Sequence, residues 1–310
     1  MMQEKLMALV QENQPKYRDG KVAQYIPALS KVTPSLLGIS IYDLRNNQLY
    51  MAGDHHHEFA IESISKVPVL LLAIQQNGLN TVFQKVDAEP TGFPFNSILN
   101  MEINHRKKPM NPFVNIGAIF MNSLIEGKKS TERFQSMLDY MKLIMNDSTL
   151  TLNDEIYHSE SRTGDINRSL AYYLKGQHIL PESCDVDDLL DSYFRQCSVN
   201  VTADSLAHLG ALLANDGIAP WNQKRLCTSR AATVTKSLMT TAGLYDESGD
   251  FSLYIGLPAK SGVGGGLLAV APHRYGIGIF GPALDVQGNS VAGMALLRAV
   301  TDWLDIDLFK

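Results

Sequence analysis

The chain has 310 residues, of which 45% are hydrophobic and 19% charged, with a net charge of −5. That apolar content supports a large core and excludes general disorder, and the acidic balance excludes the cationic surface on which nucleic-acid affinity rests. Cys184, Cys197 and Cys227 have no metal-ligand spacing and leave one thiol over in any disulfide scheme, so reduced thiols and a cytoplasmic location are expected.

Met1 to Lys21 carries charges throughout, without an apolar h-region or a small-residue cleavage site, and does not read as a signal peptide. Leu6, Leu9 and Val10 predict one short amphipathic helix. No apolar run approaches bilayer-spanning length, so no membrane partner is expected. Leu36 to Asp43 alternates as a strand, Asn46-Asn47 signals a turn, and Gln48 to Ala52 continues as the partner strand. His55-His56-His57-Glu58 invites a metal reading. It lacks the i, i+4 histidine spacing of a metalloprotease helix, so it reads as a surface loop and no metal is expected.

Ser63-Ile64-Ser65-Lys66 follows, directly ahead of the apolar run Val67 to Ile74. A serine hydroxyl is a poor nucleophile until a base takes its proton, and a desolvated lysine can be that base. Residues three apart on a helix share a face, which places Ser63 beside Lys66 at a helix start. The free N–H groups and partial positive charge of that terminus suit a developing oxyanion.

From Val67 to about Ala232 the pattern is mainly helical. Asp87 to Pro112, rich in Pro, Gly and Asn, reads as a long loop of the kind that borders active sites. Ser198-Val199-Asn200 matches the Ser-x-Asn element of penicillin-recognising enzymes. It leads straight into a Thr202-capped helix over Ala203 to Asn215, where Ser and Asn are expected for local reasons.

Lys260-Ser261-Gly262 lies between two predicted strands, Phe251 to Ala259 and Leu267 to Ala271. It is a near equivalent of the Lys-Thr-Gly strand that accompanies Ser-x-x-Lys. A second cation there would disfavour protonation of Lys66 and contact an anionic substrate group. No helix follows Gly262 to Gly266, which argues against a phosphate loop and for close backbone approach to a ligand. Leu253 to Leu257, Gly266 to Val270 and Tyr275 to Phe280 predict an antiparallel meander, closed by a helix from Val291 to Leu304. The expected fold class is α+β. Residues 1–66 and 233–310 form a sheet subdomain built from both chain ends, with residues 67–232 inserted as a helical subdomain.

Several long segments resemble the serine-dependent glutaminase family, which shares the fold of serine β-lactamases and penicillin-binding proteins. They are Phe59 to Val67, Asn111 to Ile119, Glu160 to Asn167, Tyr193 to Ser198, Gly243 to Asp246 and Gly256 to Val263. The resemblance runs from Tyr25-Ile26-Pro27 to the final strands. It implies hydrolysis of L-glutamine to glutamate and ammonia without metal or organic cofactor. Ser63 is then the nucleophile, Lys66 its base, and the Ser63 and Val263 amides the oxyanion hole, with Tyr245 beside the nucleophile. Tyr25, Asn115, Glu160, Asn167 and Tyr193 hold the substrate, Lys260 supports the site, and the assembly is a homotetramer.

The residue types fit a zwitterion. Its ammonium needs a carboxylate such as Glu160, and its carboxylate needs neutral donors from asparagine and tyrosine. One position departs from the family pattern, because Glu62 stands where Gln often precedes the nucleophile. A carboxylate there would raise the pKa of Lys66. The rival readings are a β-lactam or D-alanyl peptide hydrolase using the same pair, and a catalytically silent glutamine-binding protein.

Overall fold

The computed structural model describes residues 2–103, 105 and 107–310. The strands are β1 Gly38–Asp43, β2 Gln48–Gly53, β3 Phe59–Ala60, β4 Asn200–Val201, β5 Ala259–Ser261, β6 Gly266–Ala271 and β7 Tyr275–Phe280. The helices begin with α1 Met2–Asn13, α2 Lys66–Asn77, α3 Leu79–Lys85, α4 Leu99–Ile103, α5 Asn115–Asn122 and α6 Ser130–Ile144. They continue with α7 Asp154–Thr163, α8 Asp165–Gly176, α9 Val186–Cys197, α10 Ala203–Ala214, α11 Ser229–Ala242, α12 Ser248–Tyr254 and α13 Val291–Leu304.

The sheet order is β2-β1-β7-β6-β5, with every neighbouring pair antiparallel. The two chain ends meet at β1 and β7, where Ile39 faces Ile279 and Ile41 faces Ile277. Side chains on a strand alternate between faces. Ile39, Ile41, Leu267, Ala269, Ile277 and Ile279 therefore share one cluster with Leu6, Leu9 and Val10 of α1 and Leu296, Leu297 and Val300 of α13. Leu268, Val270 and Phe280 point the other way and pack with Leu206, Leu209 and Leu213 of α10. The mixed architecture and terminal assembly expected from the sequence are present.

Two expectations need correction. Leu253 to Leu257 is not a strand, because Ser248–Tyr254 forms α12 and the meander begins only at Ala259. Ser248, Phe251 and Ile255 are buried at helical spacing while Leu253 and Tyr254 face outward, so a helical stripe had looked like alternation. α10, expected within the inserted subdomain, covers a sheet face instead. A capping box between Thr202 and Ser205 starts it where the sequence indicates.

The helical remainder gathers on α2, in which every residue from Lys66 to Ile74 is buried. A helix apolar on all sides belongs in a core. Its N-terminus is thereby fixed against β5 and the helical lobe. No helix among the described residues is long and apolar enough to cross a membrane.

Candidate active site

A short ribbon pairing Phe59 with Val201 and Ala60 with Asn200 carries the chain into a tight turn over Glu62–Ser65. Ser63 lies in that turn and Lys66 opens α2, so the pair straddles the helix start. Glu62 takes a positive φ of 48°, as does Tyr245 at 56°, a left-handed conformation that is uncommon for non-glycine residues and clusters at functional sites.

Lys66 is 2% exposed. Its Nζ donates to the Phe113 carbonyl at 2.9 Å and to Asn115 Oδ1 at 2.8 Å. Burial pushes its pKa down to about 8, against the pull of Cys197, Glu62 and Glu160 in the other direction. The neutral amine has two N–H bonds and one lone pair, and these two acceptors engage both N–H bonds. The lone pair is left free to take a proton. Asn115 Nδ2 donates to Asn167 Oδ1 at 2.9 Å, which turns the Asn115 oxygen toward Lys66.

Lys260, on edge strand β5, is fully buried and donates to the Gly243 and Ser261 carbonyls at 2.8 and 2.7 Å. Its ammonium stands 4.5 Å from the Tyr245 ring centre. Burial, and then the charge of Lys66, hold its pKa well below the usual lysine range. Two lysines thus share a desolvated region, but burial is the largest cause of the Lys66 shift. The Tyr245 hydroxyl is pushed up by burial, with Ser63 and Ser261 opposing the rise.

A cavity of about 270 Å³ opens beside Ser63. Tyr25, Glu62, Ser63, Asn115, Glu160, Asn167, Tyr193 and Val263 all line it. Glu160 projects from α7, Asn167 from α8 and Tyr193 from α9, so three helices and the sheet edge converge on one space. Glu160 and Glu62 both lie in the buried wall, and burial raises the pKa of each. The proximity of Glu160 raises Glu62 further, whereas Lys66 pulls both back down. Oε1 of Glu62 has no hydrogen-bond partner. Tyr25 stands at the rim, 59% exposed, between this cavity and a neighbouring groove.

Val263 sits in the β5–β6 turn, which Gly265 N–H to Gly262 carbonyl and Gly262 N–H to Gly266 carbonyl bonds tighten. A Cβ on Gly264 would come within 2.2 Å of the Ala60 carbonyl oxygen. The glycines bring this turn against the backbone of the segment that leads into Ser63, and so set Val263 in the same cavity wall as Ser63.

Ser198 donates its hydroxyl to the Phe194 carbonyl, and the Asn200 amide donates to Glu58, so the Ser-x-Asn match serves local structure. Phe95, Asn96, Ile166 and Cys197 line the cavity without having been singled out. Phe95 packs on Tyr245 at 4.6 Å, and the loop it belongs to had been expected to border a site. Cys197 had no signal beyond lying in a segment of family resemblance.

A Ser-x-x-Lys pair at the mouth of a buried helix, with a second buried lysine on the edge strand, defines a protein of the penicillin-recognising fold class. A family model for glutaminase matches residues 20–309. Glutaminase 1 of Clostridium perfringens (strain 13 / Type A) is 59% identical over 305 residues, covering 98% of this chain and 99% of that protein. A solved probable glutaminase, ybaS, superposes with a TM-score of 0.92 at 38% identity, covering 100% of both chains. Bacillus subtilis glutaminase YbgJ superposes at 0.89 with 33% identity and 99% coverage of each chain. That structure is the covalent complex with 5-oxo-L-norleucine formed by reaction of the protein with 6-diazo-5-oxo-L-norleucine. This chain belongs to the glutaminase family, and it is a hydrolase of glutamine.

Proposed function

We propose that L-glutamine hydrolysis in this chain runs through an acyl-enzyme on Ser63. The Ser63 oxygen attacks the side-chain amide carbon while neutral Lys66 accepts the hydroxyl proton. The oxyanion is held by the Ser63 and Val263 backbone N–H groups. As the C–N bond breaks, the proton passes to the leaving nitrogen and ammonia departs. Water then attacks the ester, with neutral Lys66 taking its proton or the Tyr245 hydroxyl assisting by hydrogen bonding, and glutamate leaves as Ser63 is restored.

Glu160 receives the substrate ammonium, and Asn115, Asn167, Tyr193 and Tyr25 provide neutral donors around the carboxylate end. The single observation that carries this reading is the buried Lys66. Its two N–H bonds are spent on fixed acceptors and its pKa is lowered to about 8, next to a glutamine-sized cavity with Ser63 in its wall. The YbgJ adduct supports the choice of substrate, because the reagent carries a carbonyl where glutamine carries its amide.

The deciding experiment is ammonia release from L-glutamine, with L-asparagine and a chromogenic cephalosporin alongside and Ser63→Ala as control. Selective glutamine turnover that the variant loses by about 10³-fold or more supports the assignment. Retention of most activity in Ser63→Ala refutes it. A homotetramer and a cytoplasmic location belong to the same proposal. They are supported by the exposed apolar side chains Leu253, Tyr254, Leu308 and Phe309 and by three cysteines without disulfides. Light scattering coupled to size exclusion tests the first.

A further inference from the structure

The loop ahead of β3 and the start of α10 come together on the side chains of His55, His56 and Asp204. His55 Nδ1 lies 2.9 Å from Asp204 Oδ1, and His56 Nδ1 lies 3.1 Å from Oδ2. Ring nitrogens and carboxylate all fall within 4.8 Å of one another. His55 and His56 lie in the turn after β2 that the His57 N–H closes on the Asp54 carbonyl. Here the two rings turn to the same carboxylate, with centres 3.7 Å apart.

We propose that His55, His56 and Asp204 form a binding site for a borderline divalent cation of the zinc class. Zinc takes imidazole nitrogen and carboxylate oxygen at about 2.0–2.2 Å, so ligand atoms around one tetrahedral ion stand ~3.3 Å apart. The present separations need only a small opening to admit the ion. Imidazole nitrogens favour zinc over magnesium or calcium, which prefer all-oxygen shells.

The carboxylate also has an outer bond of the kind that orients a metal ligand, and a backbone bond ties the loop to α10. The Ser40 hydroxyl, from β1, donates to Asp204 Oδ1, and the Ala203 N–H donates to the His55 carbonyl. His55 is 14% exposed and Asp204 20%, while His56 is 76% exposed and leaves the remaining coordination position open to water. The site is separate from the Ser63 cavity, whose walls include none of these residues. It clips the strand pair β3–β4 at its open end, just before Phe59 and just after Val201. The bound ion is structural in this arrangement, and hydrolysis does not pass through it.

The test is calorimetric titration of zinc chloride into the chelator-treated full-length protein, followed by thermal unfolding with and without the metal. The expected result is one ion per chain with a rise in Tm that excess chelator reverses. His55→Ala and His56→Ala each weaken binding by about tenfold or more, and magnesium gives no heat. Tetrahedral visible absorption on Co2+ substitution, lost in His56→Ala, supports the same ligands. Ammonia release stays at the wild-type rate in the variants, which also shows that they fold. Zinc bound equally well by the His55→Ala/His56→Ala double variant overturns the proposal, and so does the absence of binding by the wild-type protein.

Discussion

The proposed base, Lys66, can act only when neutral, so under that proposal its depressed pKa sets the acid limb of the pH–rate profile. An ordinary lysine at the reference value of 10.5 is about 0.03% neutral at pH 7, whereas one at about 8 is about 9% neutral. Desolvation thus multiplies the reactive form ~300-fold, equivalent to about 3 kcal/mol. From pH 7 to pH 6 the neutral fraction drops about ninefold, so kcat/KM should fall with a slope near one below pH ~7.5. The sign is fixed: protons remove activity, and raising the pH through about 8 restores it. The assay is initial ammonia release at glutamine concentrations well below KM, in buffers of constant ionic strength. A profile flat between pH 6 and 8, or one still rising tenfold per unit at pH 9.5, would refute the assignment of Lys66 as the base.

The neighbours of Lys66 should move that limb in opposite directions. Glu62→Gln removes a carboxylate that raises the Lys66 pKa, so the inflexion shifts to lower pH, and a profile overlaying wild type would remove Glu62 from the account. Lys260→Met removes a nearby cation, which shifts the inflexion upward. It also takes a donor from the Gly243 and Ser261 carbonyls, although Gly243 keeps the Ser261 N–H, and should lower stability by about 1–3 kcal/mol in denaturant melts. Gly264→Ala drives a methyl into the Ala60 carbonyl and should cost about 1–3 kcal/mol, together with kcat as the Val263 amide is displaced. Gly249→Ala is the matched control in α12. Nothing lies within 4 Å of its added methyl, so Tm should rise or hold while activity is unchanged.

The local sequence was enough to place most regular elements. The β1–β2 hairpin, β6, β7, α13 and the Thr202 cap all follow from short-range periodicity and turn chemistry, which act over a few residues. Ser-x-x-Lys and Lys-Ser-Gly were legible as well, since each motif lies within one element. α12 was misread because a short amphipathic helix with Phe251 and Ile255 inward offers little more than one turn of pattern.

Tertiary structure alone decided what those groups do. Whether Lys66 is a solvated cation or a base depends on its burial, and its two acceptors, Phe113 and Asn115, come from nearly fifty residues further along the chain. Glu160, Asn167 and Tyr193 become one pocket only because α7 and α8 pack on α9, which packs on the Glu62–Ser65 turn. The meeting of His55 and His56 with Asp204 was equally invisible, since the loop and the start of α10 lie 149 residues apart in the chain and touch only in the fold. Short-range patterns fix local conformation, whereas desolvation and ligand geometry depend on packing between segments far apart in sequence.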